Sequence, residues 1–197
     1  MSKAEKIPAN GEELKKITVW TKQHENVRKE LESTGRYTAK REYVRLDLKE
    51  QAPLVLYAYD WLIAHLPKKG FRPEDAEVPV WVSFKQDAAM LQSEGTVILE
   101  VEADADSIIH LNIAKWGAVL NYSYIPKDAE DEKRHKEKMK EYGVSDTKAV
   151  MSRFYPELKR EIIASWDRLF DDSVSMGNDD AYGLIWELRR EWIRAGI

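Results

Sequence analysis

A stretch near the start of the chain is typical of a β-strand that passes directly into a helix. Residues 17–23 (ITVWTKQ) are an apolar, β-favouring run, and an amphipathic helical pattern follows until Gly35. Glycine commonly ends a helix because it adopts positive φ without strain. Such a junction presents unpaired backbone N–H groups beside Trp20, Thr21 and Gln23. We therefore expect strand and helix in one fold, with a place to hold a ligand.

These residues also have a structural interpretation, which we favour at this stage. Trp20 would pack in the core, and Thr21 would cap the helix through its hydroxyl. Both interpretations depend on the same strand-to-helix junction.

Three other segments favour β-structure. Residues 78–84 (VPVWVSF) alternate large apolar groups, residues 96–102 (TVILEVE) have the strongest β pattern in the chain, and residues 108–111 extend the sheet. Residues 182–188 fit either a helix or a strand, because their apolar groups satisfy both periods. Gly183 and the β-favouring residues indicate a strand followed by a turn.

Helical patterns fill much of the remainder. They cover residues 54–66 (opened by Pro53), 116–120, 128–142, 146–155 (capped by Ser145) and 156–169. In the run 128–142 acids precede bases, as the helix dipole favours, and an apolar stripe is nearly absent. We predict a solvated helix or a mobile insertion there. Residues 35–39 suggest a short strand, residues 42–46 an extended piece or a helix start, and residues 85–93 a short helix or loop.

Composition limits the possible classes of protein. A chain of 197 residues with 34% charged residues predicts one domain over residues 16–197, after a loose lead at 1–15. The net charge of −4 gives no general attraction for nucleic acid, and the lack of cysteine excludes disulfides and thiolate chemistry. Without an apolar leader or a membrane-spanning run, we expect a soluble cytoplasmic protein.

No established catalytic or metal-binding motif is present. The four histidines lack ligand spacing, and the glycine-rich nucleotide and hydrolase signatures are absent, so we predict no metal site. The acid pairs Asp104/Asp106 and Asp179/Asp180 are better explained as solvated loops than as acid–base or cation sites. The C-terminal arginines and tryptophans could bind phosphate, but an amphipathic terminus explains them better. They are Arg189, Arg190, Arg194, Trp186 and Trp192.

Several short motifs occur in a defined order. They are residues 20–23 (WTKQ), 58–61 (AYDW), 79–81 (PVW), 120–121 (LN), Ser165-Trp166 with Phe170, 186–188 (WEL) and 191–193 (EWI). In this order they resemble the bacterial domain-of-unknown-function 3841 family, over residues 17–194. The resemblance implies no particular activity.

A weaker, architectural resemblance is to ADP-ribosyltransferase-like folds, which bind NAD in a cleft between two small sheets. Those enzymes use His or Arg on the first strand, Tyr or Ser on the second and Glu on a late strand. The corresponding positions here are Trp20 or Thr21, then Ser83, then Asp180 or Glu187. The first position therefore departs from that pattern.

This second resemblance implies roles for particular residues. Thr21 and Gln23, beside Trp20, would hydrogen-bond the nicotinamide amide or ribose of NAD, and Trp81 or Tyr182 would stack on a ring. The late acid would stabilise positive charge on the ribose as the glycosidic bond breaks.

Together these patterns predict a single α+β domain, with a mixed or antiparallel sheet covered by helices and an ADP-ribosyltransferase-like arrangement as one form. We expect a nucleotide or other small ligand in an aromatic-lined cleft, with NAD as the cofactor candidate. The alternative is a regulatory or protein-interaction domain, for which the helix at 128–142 is the best-exposed element.

Overall fold

An antiparallel six-stranded sheet forms the centre of the computed structural model, which describes residues 15–67, 72–87, 93–178 and 180–195. Its strands are β1 (Lys16–His24), β3 (Val80–Ser83), β4 (Thr96–Asp104), β5 (Ile109–Asn112), β6 (Ala181–Ile185) and β8 (Ile193–Ala195), in the order β5-β6-β3-β1-β4-β8. Two short strands, β2 (Arg36–Tyr37) and β7 (Leu188–Arg189), form a separate ribbon.

Seven α-helices cover the sheet within the described part of the chain. They are α1 (Glu25–Thr34), α2 (Arg41–Leu48), α3 (Ala52–His65), α4 (Ile113–Leu120), α5 (Ala129–Tyr142), α6 (Asp146–Met151) and α7 (Pro156–Ser165). The prediction of a single α+β domain with an antiparallel sheet covered by helices is confirmed. The C-terminal segment is β6 rather than a helix, as its glycine indicated.

The two faces of the sheet are covered unequally. Alternate residues of β1, β3 and β4 pack with α1 and the β2–β7 ribbon in a smaller core that includes Val19, Val27 and Leu31. The other face of β5, β6 and β3 packs against α3, α4, α5, α6 and α7 in a larger core around Trp166 and Ile162. On that second face β4 presents half-buried residues such as Glu100, so the helical layer covers only part of the sheet.

The strand-to-helix junction forms as predicted, but a different residue caps the helix. β1 pairs with β4 along its full length, from Lys16 opposite Asp104 to His24 opposite Thr96. The Nδ1 of His24 accepts a hydrogen bond from the backbone N–H of Asn26, and Thr21 lies inside the strand. The prediction of Thr21 as the cap is therefore wrong, because the strand continues three residues further than the cap required.

Two helices differ from the expected burial or length. α3 is apolar nearly all round, yet Leu54 and Tyr57 are exposed, so it is buried on one side only. The helix predicted over 146–155 ends at Met151, and α7 begins separately at Pro156. Of the other predictions, the lead at 1–14, most of 85–93, Gly70 and Asp179 lie outside the described residues.

Candidate functional site

A cleft of about 940 Å³ opens where β1 ends and β3 begins. The helices α1, α2 and α3 all contribute residues to its lining. Its size lies within the range of small-molecule sites, which bury most of a ligand in a concave and largely apolar surface. The cleft lies beside the strand-to-helix junction that the sequence indicated.

The lining combines aromatic, aliphatic and charged side chains. The aromatic residues are Tyr37, Tyr43, Tyr59 and Trp81; the aliphatic ones include Val27, Val44, Leu46, Leu48, Val55 and Val80; and the polar ones include Lys22, Gln23, His24, Asn26, Glu30, Lys40, Asp47, Ser93 and Thr96. Aromatic rings with a few converging polar groups can hold a planar or apolar ligand body and orient its polar ends.

The aromatic floor of the cleft is fixed from behind. The indole Nε1 of Trp81 donates to the hydroxyl of Tyr59 at 2.6 Å, and both rings contact Trp116 with ring centroids about 5.5 Å apart. Burial raises the pKa of Tyr59, against the opposing effect of the hydrogen bond from Trp81, so its hydroxyl stays protonated at neutral pH. A rigid floor of this kind loses little conformational freedom when a ligand binds.

Hydrogen bonds from β1 hold the backbone of Trp81 in place. The hydroxyl of Thr21, which is 2% exposed, donates to the carbonyl oxygen of Trp81 at 2.7 Å. The side-chain amide of Gln23 in turn donates to the Thr21 hydroxyl at 2.7 Å. Thr21 therefore supports the cleft from the core side, and Gln23 lines it.

Two tyrosines form the wall between α1 and α2. The rings of Tyr37 and Tyr43 lie nearly parallel, with an interplanar angle of 17° and centroids 6.3 Å apart. Burial, followed by the neighbouring Tyr43 and Glu30, raises the pKa of Tyr37. Burial and the charge of Glu30 also raise the pKa of Tyr43. Both hydroxyls are therefore neutral over the physiological pH range.

Three other sequence-predicted residues come together, outside the cleft lining. Trp20 lies opposite Ser83 in the β1–β3 pair, and Ser83 lies opposite Tyr182 in the β3–β6 pair. These side chains form one row across adjacent strands. The Ser83 hydroxyl donates to the carbonyl of Lys85 at 2.7 Å and accepts from its N–H at 3.1 Å, so it stabilises a turn.

The two candidate acids are separated by β6. Asp180 precedes this strand and lies 3.6 Å from the Nζ of Lys85, whereas Glu187 follows it. At about 3.3 Å per residue, the strand spans about 17 Å, which is too far for one acid pair. Asp180 lies at the Tyr182 end of the row, and Glu187 lies at the β2–β7 ribbon.

Glu187 is held in an ion-pair network. It accepts from the Nε of Arg36 at 2.5 Å and from the Nε of Arg189 at 2.8 Å. Burial raises the pKa of Glu187, but the hydrogen bonds from Arg36 and Arg189 outweigh it and keep the pKa below the usual range. Arg36 also makes two hydrogen bonds to Asp75. This arrangement joins the ribbon to the loop before β3 and explains Glu187 structurally.

The C-terminal arginines are also partly accounted for by ion pairs. Arg189 pairs with Glu187 and lies over the ring of Trp192, 5.4 Å from its centroid. Arg194 donates to Glu102 on β4 at 2.6 Å. Among the described residues, no three His, Asp or Glu side chains group closely enough to hold a metal ion. None of the described helices is both long and apolar enough to span a membrane.

The sequence predicted two lining residues of the cleft, Gln23 and Trp81, and missed its tyrosine wall. Tyr43 and Asp47 are one turn apart on α2 and therefore share a face. That signal was available, but residues 42–46 fit an extended piece as well as a helix. The contribution of Tyr37 depends on the pairing of β2 with a strand more than 150 positions later, which no local pattern predicts.

The order of the motifs along the chain agrees with a comparison against protein-family models. The model for the domain of unknown function DUF3841 matches residues 18–194. The chain belongs to the DUF3841 family. No curated protein and no solved structure matches it. For this DUF3841 protein, the argument for function therefore depends on the geometry of its own cleft.

Proposed function

We propose that this DUF3841 protein binds a small organic ligand in the cleft between α1, α2 and α3. The observation that carries the proposal is the lining itself: four aromatic side chains, a rigid Trp81–Tyr59 floor and several polar groups around about 940 Å³. A nucleotide is one candidate class, since its base could stack on a tyrosine or Trp81 while Lys22 and Lys40 face the same space.

The proposal is tested by titrating nucleotides, NAD and small aromatic compounds while following tryptophan fluorescence and thermal unfolding. A ligand at about 100 times its Kd would stabilise the fold by about 2.7 kcal/mol, which raises the Tm by several degrees. We expect saturable shifts in fluorescence and Tm. Tyr43→Ala should weaken the ligand affinity about tenfold or more, since a stacked ring contributes roughly 1 kcal/mol beyond its buried area.

A matched control is Tyr142→Ala. Tyr142 is a similarly exposed tyrosine, at 53% against 45% for Tyr43, and it lies on α5 outside the cleft lining. It should leave binding unchanged. If no compound stabilises the wild-type protein at millimolar concentration, or if both tyrosine variants bind equally well, the cleft is not the site.

We propose ADP-ribosyl transfer from NAD as a separate, enzymatic function, at a place on the sheet outside the cleft lining. It is supported by the row of Trp20, Ser83 and Tyr182 across adjacent strands, beside the loop that carries Asp180. In that reaction an acid stabilises positive charge developing on the ribose. We assign this role to Asp180 rather than Glu187, because Arg36 and Arg189 already bind Glu187.

A labelled-NAD assay tests this function. Asp180→Asn should abolish transfer or hydrolysis of NAD, whereas Glu187→Gln should retain activity in whatever fraction remains folded. Absence of NAD turnover by the wild-type protein would exclude the enzymatic function and leave ligand binding intact.

Another candidate function is protein interaction, and it is favoured by one surface. Phe154 is 87% exposed and Met151 is 58% exposed, both near the turn between α6 and α7. Large exposed apolar side chains close together are a common feature of interaction sites. A partner whose binding is lost in Phe154→Ser but kept in Leu46→Ser, which changes another exposed apolar residue, would support this function.

A further inference from the structure

We propose that the ligand of the cleft carries a cationic nitrogen group, such as an ammonium, guanidinium or amidinium, bound by Glu30 and Asp47 together with Tyr37 and Tyr43. The inference rests on the proposed ligand-binding function and specifies its chemistry. All four side chains line the cleft: the rings of Tyr37 and Tyr43 lie side by side, the charge of Glu30 acts on both tyrosines, and Asp47 follows Tyr43 by one turn of α2.

The first observation is the pairing of the surrounding acids. Asp60 accepts two hydrogen bonds from Arg41, and Asp75 accepts two from Arg36. Glu30 and Asp47, in contrast, make no side-chain hydrogen bond or ion pair within residues 15–67, 72–87, 93–178 and 180–195. The two carboxylates in the cleft therefore have the full capacity of their oxygens available to a ligand.

The second observation is independent of the acids. Tyr37 is 5% exposed and lines the cleft, and its hydroxyl makes no hydrogen bond to any other part of the chain that the structure describes. Among the described residues the hydroxyl is not one of the fully buried polar atoms without a partner, so it reaches the space of the cleft, where water or a ligand completes its hydrogen bonds. The Tyr37 hydroxyl therefore offers a hydrogen-bonding group to a polar ligand at this end of the cleft.

The combined chemistry favours a cation. Carboxylates attract a positive group, and the face of a tyrosine ring attracts it through the ring quadrupole. The neutral tyrosine hydroxyl oxygens can accept N–H donors. An anionic group at the same place would face repulsion from Glu30 and Asp47, and Arg41 at the start of α2 is already engaged by Asp60.

The two lysines of the cleft do not cancel this preference. Lys40 is bound to the carbonyl and the carboxylate of Asp75. Lys22 lies on β1, two residues after the pair of Trp20 with Ser83, and not on either helix that carries an acid. The cleft is therefore polarised, with its negative side at the tyrosine wall.

Three probes of one shape and different charge test the inference: benzamidine (a cation), benzamide (neutral) and benzoate (an anion). The full-length protein, labelled with ¹⁵N, is titrated with each probe up to about 50 mM, a concentration at which a millimolar site fills. We expect benzamidine to bind about fivefold or more tightly than benzamide, with benzoate weakest, and the shifted amides to lie on α1, α2 and β2.

Substitutions then locate the preference. Glu30→Gln and Asp47→Asn should each weaken benzamidine binding about three- to tenfold and leave benzamide binding unchanged, because each removes charge while keeping shape. Glu50→Gln removes the same charge from an exposed residue outside the lining and should change nothing.

The outcomes separate this inference from the function on which it rests. Equal binding of the three probes in the cleft, or strongest binding of benzoate or a nucleotide, would overturn the cation inference while ligand binding stands. Unchanged benzamidine affinity in both acid variants would also overturn it. If none of the probes shifts any amide of the cleft and nucleotides also fail to bind, both proposals are wrong.

Discussion

Two surface helices, α5 and α2, both carry many charged residues and differ in how they are packed and capped. α5 buries His135 and Met139, and its ends are closed by Asp128, whose side chain accepts from a backbone N–H, and by Gly143 in the left-handed conformation. α2 buries no residue and has no side-chain cap at its start. At its C-terminal end Lys49 has a φ of 47°, a conformation that a lysine adopts only at some cost.

The charges of the two regions differ in the same way. On α5, Arg134 and Lys138 both bind Glu161 of α7, so the helix is attached to the layer below through paired groups. At the cleft wall, Glu30 and Asp47 have no ion pair within the described ranges. Paired charges hold the helical layer together, whereas the unpaired acids of the wall near α2 are what the proposed ligand site would require.

The largest effect on stability should come from truncating a side chain in the core beneath the helical layer. Trp166 is fully buried, donates to the carbonyl of Ser123 at 2.9 Å and packs edge-on against Trp61. Trp166→Ala should lower the free energy of unfolding by about 3–5 kcal/mol, measured by urea denaturation. Leu46→Ala on α2, where the side chain is 67% exposed, should cost less than about 0.5 kcal/mol. A cost at Leu46 comparable with that at Trp166 would contradict the contrast between the two regions.

A smaller effect, with a distinct pH dependence, should come from Asp131 on α5. Burial raises the pKa of Asp131, but hydrogen bonds from the backbone of Lys127, from Arg134 and from Tyr124 outweigh it and lower the pKa to about 2. An unfolded aspartate has a pKa near 3.9. The contribution of the Asp131 charge to folding stability is therefore complete above about pH 4 and is lost as the pH falls towards 2.

Asp131→Asn should therefore cost about 2 kcal/mol at neutral pH, because several hydrogen bonds to a charged group are weakened. The difference from the wild-type protein should narrow as the pH is lowered below about 4, when denaturation midpoints are compared at a series of pH values. A difference that stays constant down to about pH 3 would show that the charge of Asp131 is unimportant.

Much of the fold follows from local patterns, whereas the cleft does not. The strand at 96–102, the helix after β1 and its end at Gly35 were predictable, because period and glycine conformation are local properties. The tyrosine wall combines Tyr37 on β2 with Tyr43 on α2 and Glu30 on α1, so it exists only after β2 pairs with β7. Trp20 and Thr21 show the same limit, because a strand pattern does not tell which of its two faces will meet a cleft.

The hydrogen bonds of Thr21, which support the cleft floor, should contribute about 1–2 kcal/mol to the free energy of unfolding. Thr21→Val keeps the shape of the side chain and removes both the hydrogen bond to the Trp81 carbonyl and the acceptor for Gln23. We expect Thr21→Val to lower the stability measured in urea and to weaken the ligand affinity. Gln23→Ala should show a smaller loss of affinity. Full stability in Thr21→Val would mean that this hydrogen bond does not hold the floor. The control is Thr18→Val, which changes an exposed residue on the same strand.

The smallest effect on stability should come from Glu30, and it is the sharpest test of the contrast between the two regions. Glu161→Gln weakens the bonds from Arg134 at 2.8 Å and from Lys138 at 2.5 Å, and should cost about 1 kcal/mol. Glu30→Gln breaks no ion pair in the part of the chain that the structure describes, so stability should stay within about 0.5 kcal/mol of the wild type. Both changes remove one carboxylate charge from a half-buried helical position. Equal losses of unfolding free energy in the two variants, measured in urea, would show that Glu30 has a structural partner. A binding residue should instead give a neutral or stabilising change together with weaker cation binding.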